Sequence, residues 1–193
     1  MMKYPDWIYR QSAVLPYRRC DEGLEILLIT SRKGKRWVLP KGIVEPGLTP
    51  PASAAKEAKE EAGIEGEVWA QSLGNYNYRK WGGNCEVDVF PMQVTVEQED
   101  WPEAAMRRRK WLPVKKAARR IDEGKLSKLV RRLPDVVNKV AGADTPPLAE
   151  TTTRPHVIYL FRHAKSSWDD PTLDDIARPL APRGQRASET MRD

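Results

Sequence analysis

The sequence predicts an α/β domain followed by a strand–helix segment too short to complete a second domain. Three observations carry this prediction. Apolar runs of strand length separated by turn residues recur through the first half, an Ala/Lys/Glu-rich helix interrupts them, and two amphipathic stripes follow. With 193 residues, 40% hydrophobic and 31% charged, the chain can bury one full core and begin another. It contains no window of about 18 apolar residues, so no membrane span is predicted. The opening MMKYPDWIYRQ lacks the apolar run of a secretory signal. Cys20 and Cys85 make no disulfide framework and have no metal-ligand spacing, so a cytoplasmic location is expected.

The elements follow in order. Residues 7–19 and 24–31 read as strands joined by a turn at 20–23. A basic loop at 31–36 leads to a short strand at 37–40, and a Gly/Pro-punctuated loop follows. A helix is predicted over 50–62, where Thr49 caps its start, Pro50 and Pro51 fit its first turn and Gly63 stops it. Residues 66–80 and 84–98 read as two strands joined by the turn Trp81–Asn84. Helices are predicted at 113–121, with Val114, Ala117, Ala118 and Ile121 on one stripe, and at 125–133, with Leu126, Leu129, Val130 and Leu133. The predicted organisation is a domain at 1–140, a Thr/Pro/Ala-rich linker at 141–155 and a new segment at 156–193.

The net charge of +6 is unevenly placed: residues 107–132 hold 12 basic and 2 acidic side chains. The helical stripes assign that basic run to a solvated outer face. Nucleic acid is therefore not the expected partner, although an RNA 5′ end stays open because such a surface would suit it. The only histidines, His156 and His163, come late. Chemistry in residues 1–140 must rest on carboxylates, Lys, Arg, hydroxyls or a bound metal.

Glu57, Glu60 and Glu61 fall on one helical face by spacing. Carboxylates side by side favour protonation unless a cation compensates, and hard oxygen donors suit Mg²⁺ or Mn²⁺. On its own, KEAKEEAG reads as well as a solvated surface laced with Lys56 and Lys59. The register around it decides. Gly42, Glu57, Ala58, Glu60, Glu61, Gly63 and Ile64 fit the pattern G-x5-E-x7-R-E-U-x-E-E-x-G-U, where U is aliphatic. The segment 42–64 thus resembles the Nudix box, and Trp37–Gly42 is similar to the strand and loop that lead into one. Two positions depart from the pattern: Leu48 stands where it has Glu, and Lys56 where it has Arg. Lys56 keeps the charge without the planar fork, and Glu45 is the nearby acid available in Leu48's place.

The resemblance implies a Nudix α/β/α sandwich with a mixed sheet, hydrolysing a phosphoanhydride with the help of Mg²⁺ or Mn²⁺. Glu60 and Glu61 would be metal ligands, joined by the backbone carbonyl of Lys41 beside Gly42. Glu57 would be a further ligand or would orient or deprotonate the attacking water, so Glu57 and Glu61 carry the catalytic assignment. Glu86 and Asp88 are candidates for an extra acid, weighed against plain outward-facing strand positions. Candidate substrate contacts are Gly42, Arg10 on the first strand, and Arg32, Lys33, Lys35 and Arg36, cations that suit polyphosphate but also suit an ordinary turn. Trp37, Tyr76, Tyr78 and Trp81 read as packing residues before base-stacking ones.

The succession Glu99-Asp100-Trp101 and Arg107 to Trp111 resembles the diphosphoinositol polyphosphate and dinucleoside polyphosphate hydrolase branch. A small polyphosphate metabolite is accordingly the expected substrate. The alternatives are an 8-oxo-dGTP-sanitising MutT-like hydrolase and a catalytically silent anion-binding module, the latter motivated by Leu48 and Lys56. Beyond the linker, RHAKSSWDD followed by RPLAPRG resembles the start of SixA-like histidine phosphatases. By that resemblance His163 would accept phosphate, with Arg162 and Arg178 gripping it. The segment is expected to be the truncated start of such a domain, without phosphatase activity of its own.

Overall fold

A computed structural model describes residues 6–140 of the chain. A 3₁₀ turn at Asp6–Tyr9 precedes the strands β1 (Arg10–Cys20), β2 (Gly23–Thr30), β3 (Trp37–Val38) and β4 (Lys41–Ile43). Helix α1 (Pro50–Ala62) follows, then β5 (Ile64–Val68), β6 (Gly74–Lys80), β7 (Gly83–Glu97) and β8 (Arg109–Pro113). Helices α2 (Val114–Arg120) and α3 (Gly124–Val140) close the described span.

The strands form one mixed sheet in the order β3-β2-β1-β7-β5, with β4 added to β1, β6 to β7 and β8 to β2. Strand β1 runs parallel to β7, from Arg10 opposite Glu86 to Tyr17 opposite Gln93, and every other pairing is antiparallel. The long β7 serves three partners: β1 along one edge, and β6 then β5 along the other.

Alternation along the strands divides the core into two layers. Ala13, Leu15, Tyr17, Ile26 and Leu28 face α2 and α3, whereas Val14, Leu27 and Ile29 face α1. This is the α/β/α sandwich the Nudix resemblance implied.

Helix α1 occupies the predicted span end to end. The Thr49 hydroxyl accepts from the Ala52 N–H at 3.4 Å, and Gly63 at φ 61° ends the helix, its N–H reaching the carbonyls of Ala58 and Lys59. It packs through Ala54, Ala58 and Ala62, all fully buried.

Other elements differ from the sequence reading. Residues 7–9 lie in the 3₁₀ turn rather than in the first strand. The expected loop after Pro40 contains β4, whose Lys41–Ile43 pair with Gln11–Ala13. The single strand expected over 66–80 is two, β5 and β6, paired to different stretches of β7. Residues 109–113, to which the sequence reading gives no strand, form β8 along β2 and run straight into α2. Helix α3 runs past the predicted end at 133 and through Pro134, because the apolar stripe continues to a buried Val137. Burial along that stripe outweighs the backbone hydrogen bond that Pro134 cannot donate.

Among the described residues no helix is long and apolar enough to cross a membrane. The linker at 141–155 and the segment with Arg162, His163 and Arg178 lie outside the described residues.

Candidate active site

Sheet, α1 and the loops around them enclose a cleft of about 630 Å³. Strand β1 gives Gln11, β4 gives Lys41, Gly42 and Ile43, and α1 gives Glu57, Glu60 and Glu61. Arg32 and Arg36 enter from the loop after β2, Tyr76, Tyr78 and Lys80 from β6, and Glu103 and Arg107 from the loop before β8.

Glu61 is the most enclosed of the acids. Its Oε2 accepts from the Lys41 backbone N–H at 3.0 Å, and its Oε1 accepts from Nη2 of Arg107. Arg107 is itself anchored: Nη1 donates to the Thr30 carbonyl at 3.0 Å and Nε donates to Glu103. Burial raises the proton affinity of Glu61, while the guanidinium and the backbone N–H pull the other way.

Glu57 lies over Gly42, so closely that a Cβ there would overlap its carboxyl group. This explains glycine at position 42. Burial, then the charges of Glu61, Glu60 and Glu45, push the Glu57 pKa up to about 7, with Lys41 opposing. Burial also lowers the pKa of the Lys41 ammonium, which lies 5.5 Å above the Tyr78 ring. The Tyr78 hydroxyl is held in turn by Gln11 Oε1 at 2.8 Å.

Glu60 is half-exposed and sits 3.8 Å from Lys56. Lys56 also reaches Glu45 at 2.5 Å, and the Glu45 N–H donates to Ser53 Oγ at 3.0 Å. Glu45 therefore supplies the loop-to-helix brace that Leu48 cannot make.

The cleft gathers Lys41, Gly42, Glu57, Glu60, Glu61, Arg32 and Arg36, but leaves out other residues singled out from the sequence. Lys33 and Lys35 are exposed and do not line it. Arg10, Glu86 and Asp88 line a neighbouring depression of about 580 Å³, where Glu86 accepts from Asn75 at 3.1 Å. Tyr76, Tyr78 and Trp81 do line the cleft, Tyr76 from a position buried in the core and Trp81 from the β6–β7 turn, at φ 52°. Arg32 and Arg36 hold Glu103 and Glu123 at 3.4 and 3.5 Å.

The solvated helix face assigned to residues 107–132 needs correction at its start, because the backbone there is loop and strand. Arg107 is buried against Glu61, and Arg109 donates to the Ala62 carbonyl at 2.9 Å while its guanidinium stacks on Trp101 at 4.3 Å. Arg107, Glu103 and Thr30 were missed as site residues. The one available signal was Glu103 four residues before Arg107, a spacing that pairs opposite charges along a turn.

A divalent cation fits the chemistry of this donor set. The cleft is lined by carboxylates without His or Cys, and burial first, then the neighbouring acids, disfavour the Glu57 charge while no cation is bound. The side chains are nevertheless shared out: Glu61 goes to Arg107 and Glu60 to Lys56. Among the described residues no three His, Cys, Asp or Glu side chains converge as a metal-binding group. The Lys41 N–H donates to Glu61, which ties the β4 backbone to the acid on α1.

Known proteins place this arrangement. The chain is 38% identical over 127 residues to "Nudix hydrolase 12, mitochondrial" of Arabidopsis thaliana, covering 55% of this chain and 63% of that one. It is 31% identical over 115 residues to "Diphosphoinositol polyphosphate phosphohydrolase 3-beta" of Bos taurus, covering 58% and 69%. In structure it is similar to the C. elegans Ap4A hydrolase, with a TM-score of 0.56 at 22% identity, covering 66% of this chain and 97% of that one. The last likeness bears on fold alone. Residues 9–133, well over half of the sequence, match the NUDIX domain, and with the box residues drawn to one cleft the chain belongs to the Nudix family.

Proposed function

We propose that this chain is a divalent-metal-dependent pyrophosphohydrolase cleaving a phosphoanhydride in a small metabolite with several phosphates, of diadenosine polyphosphate or diphosphoinositol type. The carrying observation is the juxtaposition in one cleft of three carboxylates, Glu57, Glu60 and Glu61, with Lys41, Arg32 and Arg36. Glu57, Glu60 and Glu61 would hold Mg²⁺ or Mn²⁺, which when bound neutralises phosphate oxygens and makes water a better nucleophile. Where Glu57 is not itself a ligand, its carboxylate lies beside the other two acids and can orient or deprotonate the attacking water. Arg32 and Arg36 are more than half exposed and hold their carboxylate partners loosely. They can exchange them for substrate phosphates at little cost. The name of the bovine protein supports a substrate with several phosphates.

The test is a panel of diadenosine polyphosphates, diphosphoinositols, nucleotide sugars, oxidised dNTPs and capped RNA ends, assayed with Mg²⁺ or Mn²⁺. Turnover is expected in one of the first two classes, abolished by chelation. Absence of turnover throughout, or turnover indifferent to Glu60→Gln and Glu61→Gln, overturns the proposal.

A further inference from the structure

Glu61 and Glu60 differ in what already occupies them. The side chains of Arg107 and Glu61 are 7% and 10% exposed, whereas Lys56 and Glu60 are both 46% exposed and 3.8 Å apart. Replacing Lys56 at Glu60 therefore costs little, since water screens that pair. Replacing Arg107 is different. One Glu61 oxygen carries the guanidinium and the other carries the Lys41 N–H, so each already has a donor. A second cation brought to this buried carboxylate meets the first at short range in a medium that screens poorly.

We propose that Arg107 and a divalent cation compete for the Glu61 carboxylate, so that Arg107 sets how tightly the protein holds metal. The inference rests on Glu61 being a metal ligand, as read above. The fold supplies the rival cation from afar: β2 pairs with β8 with Ile29 opposite Arg109, which brings Arg107 to Thr30 and Glu61. The guanidinium does not depend on Glu61 alone, because the Thr30 carbonyl and Glu103 also hold it. Metal can therefore displace it from Glu61 without leaving it unpaired. By linkage, whatever strengthens the Arg107–Glu61 pair weakens metal binding, and the reverse.

The test titrates the full chain with Mn²⁺, reading free ion by electron paramagnetic resonance, for wild type, Arg107→Gln and Arg107→Lys. Arg107→Gln is expected to bind Mn²⁺ about tenfold more tightly and to gain more in Tm from Mn²⁺ than wild type does. Arg107→Lys should fall between them, since lysine keeps the charge but not the fork that reaches three acceptors. It also decides the question should the glutamine variant fail to fold. Unchanged or weaker Mn²⁺ binding in the variants overturns the inference, as does a Tm deficit equal with and without Mn²⁺, the mark of a purely structural arginine. Tighter Mn²⁺ binding by a protein that hydrolyses nothing in the panel upholds this inference while the functional proposal fails. Hydrolysis with unaltered Mn²⁺ affinity does the opposite, and no Mn²⁺ binding by any of the three proteins overturns both.

Discussion

The two faces of the sheet are packed by different means. Helix α1 meets Val14, Leu27, Ile29 and Phe90 through alanines, so helix and sheet approach closely. On the other face α3 inserts Leu126, Leu129, Val130 and Leu133 among Leu15, Ile26, Leu28 and Val87, a thicker layer of large aliphatic groups. The acids of the cleft ride on the thin side, where Glu57 leaves no room for a single carbon on Gly42. A carboxylate aimed from a helix into a cleft keeps its place only where that helix is firmly seated, and small side chains seat it by leaving little to rearrange. The thick side supplies most of the burial and only touches the cleft at its edge. Substitutions should therefore separate: those on the α1 side should act on turnover, those on the α3 side on stability.

Glu57→Gln should separate the two most sharply, with kcat falling by about 10²–10⁴ in the most active assay of the panel. Its stability effect has a defined sign in metal-free protein. The folded pKa, about 7, lies above the ordinary value of 4.5, so proton binding favours the folded state. That contribution is complete below pH 4.5 and lost as pH rises through 7. Removing the charge should thus raise Tm at pH 8 and leave it unchanged at pH 4, as read by thermal unfolding in chelator. A Tm drop at pH 8 would mean that the Glu57 charge is already compensated.

Leu133→Ala probes the other face. Leu133 is fully buried on the inner face of α3, and its truncation should cost roughly 2–5 kcal/mol in denaturant unfolding. Below the unfolding transition kcat/KM should stay within about twofold of wild type. A larger fall would show that the thick layer also positions the acids.

Gly42→Ala tests the close approach itself. The added carbon must push Glu57 aside, so turnover should fall along with a stability loss of roughly 1–3 kcal/mol. Gly124 is the control, because a Cβ there meets nothing within 4 Å, and its alanine variant should change stability by less than about 0.5 kcal/mol.

The same contrast explains what could be read from the residues beforehand. Helix α1, its Thr49 and Gly63 caps and its three acids are written in local spacing, which a 3.6-residue period exposes directly. The partner of Glu61 is not, since Arg107 stands 46 residues away and reaches it only through the β2–β8 register. Read locally, an arginine in a basic run belongs to solvent. β4 and β8 were hidden for a related reason: Lys41–Ile43 carries a glycine and follows a proline, and only pairing with β1 makes it a strand. The stripe from Leu126 to Leu133 predicts an end for α3 at 133, while the burial of Val137 that carries the helix onward through Pro134 is tertiary.

The smallest effect concerns the brace between the loop and α1. Lys56 stands where the family pattern has arginine, and it holds Glu45 at 2.5 Å with both side chains well exposed, at 46% and 40%. An exposed pair of this kind is worth less than about 1 kcal/mol, so Lys56→Ala should barely move the unfolding midpoint, and less still at high salt. Its effect on turnover should be larger in proportion. Glu45 belongs to the loop after β4 and lines the cleft, its N–H held by Ser53 of α1. Losing the Lys56 ammonium frees that carboxylate, removes a positive charge from the neighbourhood of Glu57 and Glu60, and leaves their mutual repulsion less relieved. Lys56→Arg should do the reverse, because a planar fork can serve Glu45 and Glu60 together where one ammonium reaches the second only at 3.8 Å. Comparing kcat for the alanine, lysine and arginine forms at equal Tm checks this, with the order Ala below Lys below Arg expected. An order unrelated to the side chain at position 56 would show that the brace acts on neither stability nor chemistry, and that the alanine-packed face of α1 alone holds the acids in place.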